Sequence, residues 1–172
     1  MAEHAGIQKP PVVVGVAPGQ PARVVVQAAR FAAEFDTTLI CAHVNPGRFV
    51  VSEAADGSVS SLPIDPDFAD SREEEFDREL AETLDSILVD THVEWSSRVL
   101  VGDIPVALGH LADTVNAAMI VVGTHEKSVG GGIQEFFNRS IGVQLAHRQL
   151  RPVVVVPARA PGAEQKLPWD TA

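Results

Sequence analysis

The sequence predicts an α/β fold, an open, doubly wound, five-stranded parallel sheet with strand order 3-2-1-4-5. Three observations lead there. The runs PVVVGV, TTLICAHV, MIVV and VVVV are apolar without polar alternation, as befits strands covered on both faces. The segments between them carry apolar residues at spacings of three and four, the period of a helix packed on one side. Strand and helix alternate along the chain, which calls for a parallel sheet with helices on both faces, and right-handed crossovers leave few ways to thread it.

Taken in order, Pro11 to Val16 forms the first strand, Pro18-Gly19 the turn, and Pro21 suits the first position of a helix. Val25, Ala28, Ala29, Ala32 and Phe35 mark that helix's buried stripe, and Thr37 to Val44 is the second strand. From Asn45 to Pro66 the composition turns to Pro, Gly, Ser and Asp, so the segment is expected to be a surface excursion or lid. A helix is expected from about Asp67 to Val89, with Phe76, Leu80, Leu84 and Ile87 on its inner side and Glu73 to Glu75 favouring its positive end. Val93 to Val101 alternates more and reads as an outer strand. Asp103 is an N-cap for a helix with the stripe Val106, Leu108, Leu111, Ala112 and Val115. Met119 to Val122 is the fourth strand, a helix through Phe136, Phe137, Ile141 and Leu145 follows, and Val153 to Val156 is the fifth strand. Residues 1–10 read as an arm, 11–157 as one domain and 158–172 as a flexible tail. In this order the switch point lies between strands one and four, so the turn at Ala17 and the loop after Gly123 border the ligand crevice.

Composition narrows the function. At 172 residues the chain is one domain by length, able to bury roughly 70% of its unfolded surface. The net charge is −10, and eleven of the 23 acidic residues fall between Asp65 and Asp90. Such a surface repels nucleic acid and anionic membrane, and it reads first as a solvated helix face. The N-terminus has no signal pattern and no apolar run is long enough to span a bilayer, so the expected location is the cytoplasm. Cys41, the only cysteine, sits in an apolar run and is expected to be a buried thiol in a reducing compartment.

No Gly-x-Ser-x-Gly elbow, Walker loop or Cys/His metal spacing is present, so no catalytic residues and no metal ligands are assigned. His43 and His125 fall at strand ends near the crevice, where a paired acid–base role with Glu126 competes with the plainer reading of polar residues lining a cleft. His110 and His147 fall in helices, as surface or interface residues. The glycines at 130–132 are read either as a phosphate-cradling loop or as a linker.

The segments PVVVGVAPG, TTLICAHV, RVLVGDIPVALGHLADTVNAAMIVVGTH, GGIQEFFNRS and LAHRQLRPVVVVP together resemble the universal stress protein family, over about Pro11 to Pro157. The resemblance implies a Rossmann-like, adenine-nucleotide α-hydrolase-like fold and a stress-response or signalling module. It also implies an adenine nucleotide, ATP or AMP, with Mg if ATP, held at the switch point without efficient turnover. It places adenine toward Ala17, Pro18, Gly19 and Val44, and phosphates over Gly123, Thr124, Gly131, Gly132, Arg139, Ser140 and Ile141. A homodimer through antiparallel pairing of the fifth strand, Val153 to Val156, is implied as well, and that apolar edge invites such pairing on its own account.

The chain departs from the family's nucleotide-binding pattern at three places. Ala17 stands where an acidic residue follows the first strand, Glu126 replaces the second glycine after the fourth strand, and Arg139 replaces the glycine before the final serine. A carboxylate at 126 repels phosphate, and its Cβ hinders a conformation that glycine adopts freely. The Arg139 guanidinium and Lys127 offer partial compensation. These departures keep a second reading open, a dimeric binding or scaffolding module whose pocket holds no nucleotide and which acts through a protein partner.

Overall fold

The computed structural model describes residues 9–64, 76–124 and 141–157. In chain order the elements are β1 (Val12–Val16), α1 (Ala22–Glu34), β2 (Leu39–Asn45), β3 (Arg48–Glu53), β4 (Val59–Pro63) and α2 (Arg78–Leu88), then β5 (Trp95–Val101), α3 (Ile104–Thr114), β6 (Met119–Gly123), α4 (Ile141–Arg148) and β7 (Val153–Val156). The main sheet has five parallel strands in the order β5-β2-β1-β6-β7. Leaving aside the separate pair β3–β4, this is the expected 3-2-1-4-5 order.

The uniform apolarity of β1 has a direct structural cause. Val12, Val14 and Val16 face one side with Val24, Ala28 and Ala32 of α1 and Leu80, Leu84 and Leu88 of α2. Val13 faces the other side with Leu108, Leu111 and Ala112 of α3 and Leu145 of α4. Each valine or leucine among them, once fully buried, contributes about 1.5–3 kcal/mol, so a strand that feeds two cores is apolar on both faces. Cys41 lies in the α1–α2 core, where burial pushes its thiol up to about 12. It therefore stays protonated and unreactive at neutral pH.

One expectation needs correction. The helix expected from about Asp67 has its first turn at Arg78. Asp77 has an extended ψ of 125° and its carboxylate accepts from Leu80 N at 2.7 Å, the geometry of an N-cap, so Phe76 lies ahead of the helix. Residues 65–75 lie outside the described residues, as do Phe136 and Phe137 of the last predicted helix. The 45–66 segment, expected to be a surface excursion or lid, contains the antiparallel hairpin β3–β4 as far as Pro63.

That hairpin is patterned inside out. Arg48 and Ser61 are only 3% and 5% exposed, while Phe49 and Leu62, paired across the strands, are 48% and 51% exposed. The Arg48 guanidinium donates to Ser61 Oγ at 2.8 Å and to Ser61 O at 2.9 Å, which makes its burial tolerable. At its far end the hairpin is tied to the main body. Glu53 accepts from His110 Nε2 at 2.6 Å and from Thr114 Oγ1 at 3.2 Å, both on α3, and Arg98 of β5 donates to Asp56 O at 3.1 Å.

These ties predict an acid sensitivity. The His110 hydrogen bond holds the Glu53 carboxyl below its ordinary value, and the Ser58 hydrogen bonds do the same for Asp56, with Arg98 adding to it. A carboxyl depressed by folding contributes stability that is present above its unfolded value, about 4, and lost as pH falls through the lower folded value. Amide exchange should therefore show protection at Ala54 and Gly57 falling in that acidic range while β1 stays protected. Protection at Ala54 and Gly57 that stays unchanged from neutral pH through that acidic range would refute the tie.

Candidate functional site

The switch point, where a crevice is expected in an open α/β sheet, lies where β1, β2 and β6 end side by side. β1 pairs with β2 through Val16↔His43 and with β6 through Val14↔Val121, so the turn after Val16, the end of β2 and the end of β6 share one rim. Gly19 has φ +72°, and a Cβ added there would meet nothing within 4 Å, so the backbone conformation, not space, calls for glycine. Ala17, Pro18 and Gly19 are exposed on this rim.

Gln20 was not singled out by sequence reasoning, and it shapes the site. Its Oε1 accepts from Ala17 N at 3.1 Å and its Nε2 donates to Gly15 O at 3.2 Å, folding the side chain back across the turn. A Cβ on Gly123 would lie 3.2 Å from Gln20 Nε2 and 3.0 Å from Val24 Cγ2, so β6 approaches α1 as closely as a glycine allows. The position directly before Pro21, the N-cap of α1, is the only signal that could have pointed to Gln20.

The other expected residues divide clearly. Val44 is buried in the α3–α4 core, which leaves its backbone as the part that can meet a ligand. Thr124 is exposed, but its N–H is committed to Val156 O at 2.9 Å. Ile141 opens α4 and packs against the same core as Val44. His43 faces the α2 side: its Nδ1–H donates to Val16 O at 3.1 Å, and its ring meets Phe76 edge-on with centroids 6.5 Å apart. Because a carbonyl only accepts, this bond fixes the proton on Nδ1. His125, Glu126, Lys127, Gly131, Gly132, Arg139 and Ser140 lie outside the described residues. Among the described residues no cluster of three or more His, Cys, Asp or Glu could hold a metal ion, and no helix is long and apolar enough to cross a membrane.

A crevice at the reversal point of a 3-2-1-4-5 sheet is shared by many proteins and names none of them. The sequence decides the family: residues 10–157 match the Universal stress protein family. The chain belongs to that family.

Solved universal stress proteins have the same fold. One from Archaeoglobus fulgidus is 21% identical, with 88% of this chain and 96% of that chain aligned and a TM-score of 0.60. The Archaeoglobus fulgidus protein in complex with dAMP is 20% identical, with 86% and 97% aligned and a TM-score of 0.58. A universal stress protein in complex with cAMP is 24% identical, with 87% and 98% aligned and a TM-score of 0.55. No curated protein matches the sequence.

Proposed function

We propose that this universal stress protein is a cytoplasmic signalling module that holds an adenine nucleotide at the switch-point crevice without efficient turnover. The observation that carries the reading is the convergence of Ala17–Gly19, Val44 and Gly123 at the shared end of three adjacent strands. Adenine and ribose lie toward Ala17, Pro18, Gly19 and the Val44 backbone. Phosphate lies over Gly123, the Thr124 side chain, Gly131, Gly132 and Ser140, with Arg139 as a charged contact and Ile141 at the start of α4. The dAMP and cAMP complexes of related proteins support this choice of ligand class. The buried Cys41 thiol fits a reducing compartment.

Selection among adenine nucleotides follows from charge. Glu126 penalises every phosphate charge brought near it, so a monophosphate is favoured over ATP, with or without Mg. The module acts as a homodimer paired through Val153 to Val156. One observation favours the nucleotide-free alternative, a scaffolding dimer: the Gln20 side chain spans the space between the β1 turn and Gly123, where a ligand would enter.

Heat-denatured purified protein is expected to release no nucleotide, since a weak ligand is lost during purification. Added AMP is then expected to shift the backbone amide resonances of Ala17, Gly19, Val44 and Gly123. An AMP titration that leaves these signals unmoved would refute nucleotide binding at this crevice and leave the scaffolding reading.

A further inference from the structure

The hairpin β3–β4, β5 and α3 border a cavity of about 140 Å³ that opens to solvent, away from the switch point. Its walls are apolar: Val50 and Val59 from the hairpin, Leu100 and Val101 from β5, Ala107 and Leu111 from α3. A closed cavity of about 150 Å³ holds benzene, so this open one has the size for a single six-membered ring, with apolar walls and a polar rim. Gly57 closes its far end, since a Cβ there would stand 2.4 Å from Leu111 Cδ1. Val50 and Val106, each about half exposed, flank the mouth.

The polar groups sit at the rim. Glu53 accepts from His110 and Thr114, and Asp103 accepts from Val106 N at 3.2 Å with Arg148 Nη1 3.7 Å away. Two carboxylates thus face one imidazole and one exposed guanidinium, within a chain of net charge −10. This balance favours a cation over an anion at the mouth.

We propose that the cavity between the hairpin and α3 is a second ligand site, taking a small aromatic amine with its ring among Val50, Val59, Leu100 and Leu111 and its ammonium group at Glu53. The hairpin wall is held against the main body at its far end, by Glu53 on His110 and Thr114 of α3 and by Arg98 of β5 on Asp56. The site is independent of nucleotide binding at the switch point.

The test titrates the full chain with benzylamine, benzyl alcohol and benzoate, following side-chain methyl resonances. Benzylamine is expected to shift the methyls of Val50, Val59 and Leu111 with a dissociation constant on the order of 1 mM, as its few heavy atoms allow. Benzyl alcohol should bind several-fold more weakly, and benzoate not at all. Ala107→Leu and Ala107→Phe fill the cavity and should abolish these shifts in whichever variant keeps a cooperative melt. Glu53→Gln should erase the preference for amine over alcohol while alcohol binding persists. The proposal is overturned if none of the probes binds, if benzoate binds as well as benzylamine, or if a folded cavity-filling variant binds benzylamine unchanged.

Discussion

A chain carrying Ala17→Asp together with Glu126→Gly is expected to bind ATP roughly a hundredfold more tightly than the parent, at about 1.4 kcal/mol per decade. Two like charges at about 4 Å repel by up to about 4 kcal/mol near a protein surface before salt screening. Removing the carboxylate at 126 relieves that repulsion and restores a backbone that can approach phosphate. The carboxylate at 17 returns a polar contact at the head of the crevice. The position accommodates it, since Ala17 is exposed and its N–H is already held by Gln20 Oε1. Calorimetric titration of parent and double variant reads the difference. An unchanged affinity would mean that these two positions do not face the phosphates.

Val155→Pro is expected to convert the proposed homodimer into a monomer without unfolding it. β7 is an edge strand of the sheet, and its carbonyls at Pro152 and Val156 accept from Ile120 N and Thr124 N on β6. Backbone groups alternate along a strand, so those of Val153 and Val155 point to the open edge. Proline at 155 removes an outward N–H and keeps the inner ladder, which is where proline is tolerated in a sheet. Val155 is also 42% exposed, whereas Val154 packs on the α1–α2 core, so a charged residue at 154 would confuse loss of fold with loss of pairing. Light scattering should give twice the chain mass for the parent and the single mass for the variant. A monomeric parent at micromolar concentration, or a dimeric variant, would contradict pairing through β7.

The main sheet was legible because its strands are buried on both faces. A strand such as β1, feeding valines alternately to two cores, reads as an inner strand of a covered sheet, and right-handed crossovers leave few orders for it. The hairpin was not legible because its polarity is reversed: apolar Phe49, Val51 and Leu62 point outward while Arg48 and Ser61 are buried against each other. Its one local signal was Asp56-Gly57, a turn dipeptide in which Gly57 has φ +79°. The start of α2 was misplaced because the acidic run before it scans as helix, while the Asp77 cap is visible only in the backbone angles. At the candidate site, the strand order pointed to the turn at Ala17 and the loop after Gly123, while Pro18, Gly19 and Val44 came from the family resemblance. The part played by Gln20 depends on a side chain folding back over its own turn, which no periodicity reveals.

The most direct test of the adenine-nucleotide assignment is calorimetric titration of the unmodified full-length protein with AMP and with ATP, under identical salt and Mg. The expected result is weak binding of both, with AMP the tighter by about tenfold, or about 1.4 kcal/mol. Tight ATP binding, or no heat with either nucleotide, would contradict it.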